Sequence, residues 1–309
     1  MTVLIVGTFG LDTIETPFGK KGDILGGSAV HAGVAAAFYT KTALVGAVGS
    51  DFPAEHMEFL KARNIDLSGV QTVNGETFRW SGYYEYDMNQ AHTRDTRLNV
   101  YGDFNPQLPD HLRKAEYVFL ANLDPELQLK VLDQLEKPKM VAMDTMDYWI
   151  KNKRERLHAV IKRVDFVLMN DGEVRQFMET PNLPTAARRL IELGAKAVII
   201  KKGEHGALLF TGDGIHFSAP SYPQSLLRDP TGAGDSFAGG FIGYLAKTGD
   251  LSEKNLRRAV ILGSVMASFN VEDFSLDRMK RLKHKEIMER FDEFRRFSEF
   301  ESLSVAHWD

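Results

Sequence analysis

Residues 229–240 read Asp229-Pro230-Thr231-Gly232-Ala233-Gly234-Asp235-Ser236-Phe237-Ala238-Gly239-Gly240, a stretch whose residue types can do chemistry. Two glycines flank Ala233, and a carboxylate follows at once. Phe237, Phe241, Ile242 and Leu245 recur at helical spacing, and Gly249 stands where that helix should stop. The first N–H groups of a helix have no intrahelical partner, and the macrodipole adds partial positive charge there. Glycines just before the turn let an anion approach the bare backbone. An anion hole at Gly232, Ala233 and Gly234 beside Asp235 places a proton acceptor where negative charge develops, which phosphoryl transfer to a hydroxyl requires. Taken alone, Gly-x-Gly-Asp reads equally as a turn with Asp235 capping the helix.

Four further groups could do chemistry, three of them near predicted strand ends. Asn170-Asp171-Gly172-Glu173 follows a strand and opens a helix, so Asn170 and Glu173 can share a Mg²⁺–phosphate complex through water; Asn170 as a helix cap explains the motif as well. Gly203-Glu204-His205-Gly206 lets a nucleotide pack against backbone or simply turns the chain, with His205 an exposed loop residue. Asp12, just past the strand Val3–Val6, can accept from two vicinal hydroxyls or sit in a turn. Gly26 and Gly27 precede a helix of small residues and permit close approach by a substrate.

The elements that must position these groups alternate. Val3–Val6, Ala43–Val48, Tyr117–Leu120, Val141–Met143, Phe166–Met169 and Val198–Ile200 read as buried strands. Helical patterns cover Ser28–Tyr39, Pro125–Leu135, Thr185–Leu193, Asp235–Lys247 and Glu253–Phe269, which predicts βαβ units and a largely parallel sheet. Ala207–Phe210 and Ile215–Phe217 read as a hairpin. Between Gly75 and Asn105 the rhythm breaks: Trp80, Tyr83, Tyr84 and Tyr86 lie among arginines without a helical period, as extended strands do. The basic run at Arg278, Lys280, Arg281, Lys283 and Lys285 reads as the solvated face of terminal helices rather than a nucleic-acid site.

With 309 residues, 43% hydrophobic and 26% charged, the chain can bury a sizeable core. A net charge of −4 argues against general nucleic-acid binding. Zero cysteines exclude disulfides, thiolate metal sites and cysteine nucleophiles. No apolar run is long enough to span a bilayer and the N-terminus lacks a signal-peptide pattern, so the expected location is the cytoplasm. No Walker A sequence, His-Glu-x-x-His or Gly-x-Ser-x-Gly is present.

The string from Asp229 to Phe237 resembles the signature of the PfkB (ribokinase-like) family of carbohydrate and nucleoside kinases. Gly26-Gly27 and Asn170-x-x-Glu173 are similar to two further family motifs. The resemblance implies one domain over 1–309, an α/β fold with a central, mainly parallel sheet in three α/β/α layers. It also implies a small β-sheet lid built from insertions near 12–25 and 75–105. It assigns Asp235 as general base and Gly232, Ala233 and Gly234 as the anion hole. Asp12, Gly26, Gly27 and His31 fall to the acceptor, although His31 and Ser28 replace the Asn and Lys of typical ribokinases. Asn170, Glu173, Lys202, Gly203, Gly206 and Thr231 fall to ATP, with Mg²⁺ held by Glu173 and Asn170 through water. Asp144, before Met146 where the family carries Asn, is a lesser Mg²⁺-side contact. A monovalent cation stays open as an addition, as does a homodimer paired through the lids. The leading expectation is a sugar kinase; a nucleoside kinase comes second, and a nucleotide-binding regulator without turnover third.

Overall fold

A computed structural model describes residues 1–301, and in it the predicted βαβ units close into two sheets. The strands are β1 (Thr2–Val6), β2 (Gly10–Thr16), β3 (Gly19–Gly26), β4 (Lys41–Gly49), β5 (Ile65–Val73), β6 (Phe78–Tyr84) and β7 (Ala91–Arg97). They continue as β8 (Tyr117–Leu120), β9 (Met140–Met143), β10 (Phe166–Asn170), β11 (Ala197–Lys201), β12 (Ala207–Thr211) and β13 (His216–Ala219). The larger sheet runs β13-β12-β11-β10-β9-β8-β1-β4-β5. From β11 to β5 every neighbouring pair is parallel, and the β12–β13 hairpin adds an antiparallel edge.

The strands are continuous apolar runs because both faces of this sheet are covered. Val3 and Ile5 enter one core, while Leu4 and Val6 enter the other. The helices are α1 (Ser28–Ala36), α2 (Ala54–Ala62), α3 (Asp110–Arg113), α4 (Pro125–Leu132), α5 (Asp147–Asn152) and α6 (Arg154–Ile161). They continue as α7 (Asp171–Met178), α8 (Leu183–Leu193), α9 (Ala233–Thr248), α10 (Glu253–Asn270), α11 (Asp277–Arg281) and α12 (His284–Ser298). Residues of α1, α9, α10 and α12 pack in the first core, and residues of α4, α6, α7 and α8 in the second. The result is three layers.

Helix α1 stops at Ala36, short of the expected Tyr39, because Phe38 and Tyr39 donate to carbonyls only three residues back and tighten the last turn. Strand β5 has no counterpart among the strands read from sequence. It lies at the sheet edge, where Asp66, Ser68 and Gln71 interrupt the apolar run.

The smaller sheet runs β3-β2-β6-β7, with β2 and β6 parallel and the two outer pairs antiparallel. Ile14, Tyr84, Met88 and Phe274 form its own buried cluster against the body. Much of the terminal basic run is consumed in ion pairs: Arg278 with Glu272 and Glu286, Lys280 with Asp277, and Arg281 with Asp273. Among the described residues, no helix is long and apolar enough to cross a membrane.

Candidate active site

Helix α9 starts at Ala233, two residues before the expected Asp235, because the turn at Gly232 already brings the chain into helical geometry. Gly232 is its N-cap, with φ 75° and ψ 2°, a conformation that glycine adopts without strain. Ala233 N donates to Pro230 O at 3.1 Å and closes the turn. That bond engages the N–H of Ala233, one of the three expected donors. The N–H groups of Gly232, Gly234 and Asp235 have no hydrogen-bond partner among the described residues, so the bare donors are these three. Asp235 lies in the first turn of the helix, partly buried. Burial, followed by repulsion from Asp144, pushes its carboxyl up to about 7 despite the attraction of Lys201.

The turn is held from below by Asn270, the last residue of α10, which is fully buried. Its Nδ2 donates to Thr231 O at 2.7 Å, and its Oδ1 accepts from Ser236 Oγ at 3.0 Å. Oδ1 also lies 3.0 Å from His31 Nδ1, so that nitrogen carries the ring proton. A Cβ on Gly232 would fall 2.3–2.4 Å from the His31 ring. The structure therefore places His31, 2% exposed, underneath the turn, with its Nδ1 side engaged in support. Burial drives its pKa down to about 4, so the ring is neutral.

The carboxyl ends of β9, β10 and β11 bring a charged cluster to the same place. Lys201, which ends β11, forms an ion pair with Asp144, the residue after β9. A Cβ on Gly234 would lie 3.1 Å from Lys201 Nζ, so the ammonium sits against the turn. Burial lowers the Lys201 pKa, but Asp144 and Glu173 outweigh it and hold the ammonium above the ordinary lysine value. Asn170 and Glu173 form a capping box: Glu173 N donates to Asn170 Oδ1 and Asn170 N to Glu173 Oε2, both at 2.8 Å. The cap and the ligand readings of this motif are thus compatible, because Glu173 Oε1 stays free of the box. Burial and the neighbouring Asp144 push Glu173 up to about 8.

On the other side of Asp235, Asp12 lies within β2 rather than in a turn. It is 5% exposed, and no hydrogen bond to its carboxyl is present among the described residues. A Cβ on Gly26 would fall 1.9 Å from Asp12 Oδ2, so only glycine admits this carboxylate. Burial first, then Asp229 and Asp235, raise Asp12 to about 8. Gly27, with φ 103°, turns the chain into α1 against Thr8 O. Ser28 ties the ends of β1 and β8 together, accepting from Thr8 N at 3.1 Å and donating to Asn122 O at 3.0 Å.

The smaller sheet reaches across this cleft. Thr231 Oγ1 donates to Tyr84 OH at 3.2 Å, and Asn89 Nδ2 donates to Glu204 Oε1 at 2.9 Å in the Gly203–Gly206 loop. Three of the four aromatic residues singled out in this region, Trp80, Tyr83 and Tyr84, are engaged by their neighbours. Tyr83 stacks on His92 and lies beneath Arg94, Tyr84 is buried, and Trp80 Nε1 donates to Thr93 Oγ1. Gly203, φ 53°, opens a short 3₁₀ turn, while Gly206 packs against Ala219 O and so supports the hairpin. Lys202 begins that turn, and its N–H bonds Gly206 O; the lysine at the cluster is Lys201. The available signal for Lys201 was a charge closing the apolar run Ala197–Lys201 at the carboxyl edge of a parallel sheet.

Among the described residues, no group of three or more His, Asp or Glu side chains converges to hold a metal directly. The donors present suit a hydrated Mg²⁺ that shares its shell with phosphates, since Asp144 and Glu173 offer carboxylate oxygens and the free N–H groups offer an anion seat.

Residues 23–280 match the model of the pfkB family of carbohydrate kinases. The chain is 32% identical over 260 residues to a cytidine kinase of Thermococcus kodakarensis, covering 82% of this chain and 91% of that protein. It is 27% identical over 267 residues to a deoxyribokinase of Salmonella typhimurium, covering 82% and 84% of the two chains. In fold it superposes on the nucleoside kinase of Methanocaldococcus jannaschii, described as an archaeal member of the ribokinase family. That match has a TM-score of 0.76 at 23% identity and covers 94% and 98% of the two chains.

Proposed function

The chain belongs to the pfkB family of carbohydrate kinases and is an ATP-dependent kinase, and from that premise we propose that its acceptor is a ribonucleoside of the cytidine type. The observation that carries the reading is the Asp12 carboxyl, buried against Gly26, without a hydrogen-bond partner among the described residues, and close enough to Asp235 to feel its charge. A buried carboxyl left unbonded is costly, and a vicinal diol, with two O–H donors, answers both of its oxygens. A ribose bound by its 2′- and 3′-hydroxyls turns its remaining primary hydroxyl toward Asp235. The relative at 32% identity acts on such a nucleoside, which moves the nucleoside ahead of the free sugar that the sequence motifs favoured.

In this reading Asp235 takes the proton of the primary hydroxyl as the new O–P bond forms. The N–H groups of Gly232, Gly234 and Asp235 receive the charge of the transferring group, and Asn270 keeps the turn in place from beneath. Mg-ATP supplies the γ-phosphoryl group and neutralises phosphate charge, with Asp144 and Glu173 the residues placed to hold the hydrated ion. The smaller sheet, bonded through Tyr84 to Thr231, acts as the lid that excludes water.

A free-sugar kinase is the second reading, supported by the deoxyribokinase relative and by a carboxyl that suits any polyol. ADP release with Mg-ATP against cytidine, uridine, inosine, adenosine, 2′-deoxycytidine, ribose and deoxyribose separates the two. The proposal expects kcat/KM for a ribonucleoside at least 10²-fold above either sugar, and a tenfold or greater loss for 2′-deoxycytidine, the size of one missing hydrogen bond to a charged group. Turnover confined to free sugars overturns it.

A further inference from the structure

We propose that Lys201 binds the transferring phosphoryl group directly, so that its ammonium completes an anion seat that the turn at 232–235 begins. The inference rests on the kinase reading above. Lys201 ends β11 at the carboxyl edge of the sheet, and its side chain is 15% exposed. Its Nζ bonds Asp144 and no other side chain or backbone carbonyl among the described residues. An ammonium has three donors, so two remain for a ligand. The same Nζ lies against Gly234, beside the bare N–H groups of Gly232, Gly234 and Asp235.

Charge makes the same point. Three carboxyl groups, those of Asp144, Glu173 and Asp235, surround the place where an anionic phosphoryl group must sit, and Lys201 is the cation that faces all three. Without it the seat has partial charges only from the backbone. With it a full positive charge stands beside the turn in a partly desolvated cleft, where charge–charge terms are stronger than in water. Asp144 serves in this arrangement as the counter-ion that holds the lysine side chain extended before nucleotide arrives. During transfer the acceptor proton passes to Asp235, the acceptor O–P bond forms, and the P–O bond to ADP breaks with its electron pair going to ADP. Lys201 keeps its proton throughout and acts through hydrogen bonds and charge. Its role differs from simple satisfaction of a buried carboxylate, which any arrangement neutralising Asp144 would replace.

Three variants test this in the full chain: Lys201→Met, Asp144→Asn, and the double variant that removes both charges and leaves no buried ion unpaired. Thermal unfolding confirms that each is folded. Calorimetric titration with the non-hydrolysable analogue AMPPNP and with AMP supplies a readout independent of turnover. If Lys201 contacts phosphate, the double variant falls about 10²–10³-fold below Asp144→Asn in kcat, the usual loss for one oxyanion donor. It also binds AMPPNP about tenfold or more weakly than Asp144→Asn does, with AMP affinity unchanged. Equal kcat and equal AMPPNP affinity in Asp144→Asn and the double variant overturn the proposal and leave Lys201 as a structural counter-ion. If the wild type shows no acceptor-dependent turnover, the kinase reading fails by itself, and the AMPPNP comparison still decides whether Lys201 contacts phosphate.

Discussion

Replacing Asp12 by Asn is expected to stabilise the free protein at alkaline pH while destroying its activity. The carboxyl is 5% exposed, has no hydrogen-bond partner among the described residues, and is raised from 3.8 to about 8 by burial, then by Asp229 and Asp235. Below pH 4 both the folded and the unfolded chain carry it neutral, and it contributes no pH dependence. Between pH 4 and 8 the unfolded chain ionises while the folded one keeps the proton, so the wild type loses stability as pH rises. From pH 5 to 8 this amounts to three units at 1.36 kcal/mol each, about 4 kcal/mol. Side-chain relaxation and entry of water reduce that to roughly 2 kcal/mol. Asn does not titrate, and contributions from the other raised carboxyls, Asp235 and Glu173, largely cancel in the comparison. The melting temperature of Asp12→Asn should therefore gain on that of the wild type by roughly 3 °C between pH 5 and 8 in the absence of ligands, because a chain of 309 residues has a large unfolding entropy. Scanning fluorimetry across that range measures it. A gap that stays constant with pH would refute the reasoning, because it would mean that Asp12 is ionised in the folded apoprotein. The same variant should lose at least 10²-fold in kcat/KM for the acceptor, with ATP affinity retained.

Three further consequences concern the turn itself. Asp235→Asn should lower kcat by about 10²–10⁴ with nucleotide binding nearly unchanged, the range expected for loss of a general base; near-wild-type turnover would remove Asp235 from that role. Because its carboxyl lies at about 7 and works only when ionised, wild-type kcat/KM should fall tenfold per pH unit below pH 7, and a profile flat down to pH 5.5 would contradict the assignment. Asn270→Ala should cost roughly 2–4 kcal/mol of stability, since it orphans buried groups of Thr231, Ser236 and His31, and should depress kcat more than acceptor KM. Denaturant unfolding with steady-state kinetics checks both, and an unchanged midpoint and kcat would show that the clamp does not hold the turn.

What the sequence by itself determined is local. The helix that starts beside Asp235 is written in glycines, apolar spacing and a first-turn carboxylate, all within one short stretch. The buried strands are likewise readable, because a parallel sheet covered on both faces demands unbroken apolar runs, as in Val3–Val6 and Phe166–Met169. Strand β5 escaped because an edge strand mixes Asp66, Ser68 and Gln71 into its run and loses that signature. The Asn170–Glu173 motif was visible with both of its meanings, and the structure shows the capping box while leaving one Glu173 oxygen free.

Tertiary structure alone decided which distant groups meet. His31 and Asn270 are 239 positions apart, yet they share the hydrogen bond that underpins Gly232. Lys201 and Asp144 come together across 57 positions because β9 and β11 flank β10 and end at the same edge. The apolar run marks Lys201 as its closing charge, yet nothing in that run says that this lysine rather than Lys202 meets the turn. Only the packing of α9 over the sheet decides that Lys201, the last residue of β11, meets the turn. The charge state of the site belongs to the same level. Asp12, Glu173 and Asp235 are ordinary carboxylates in the sequence, and it is burial, then the neighbouring carboxyls of Asp144, Asp229 and Asp235, that moves them to between about 7 and about 8, where a proton can be exchanged near neutral pH.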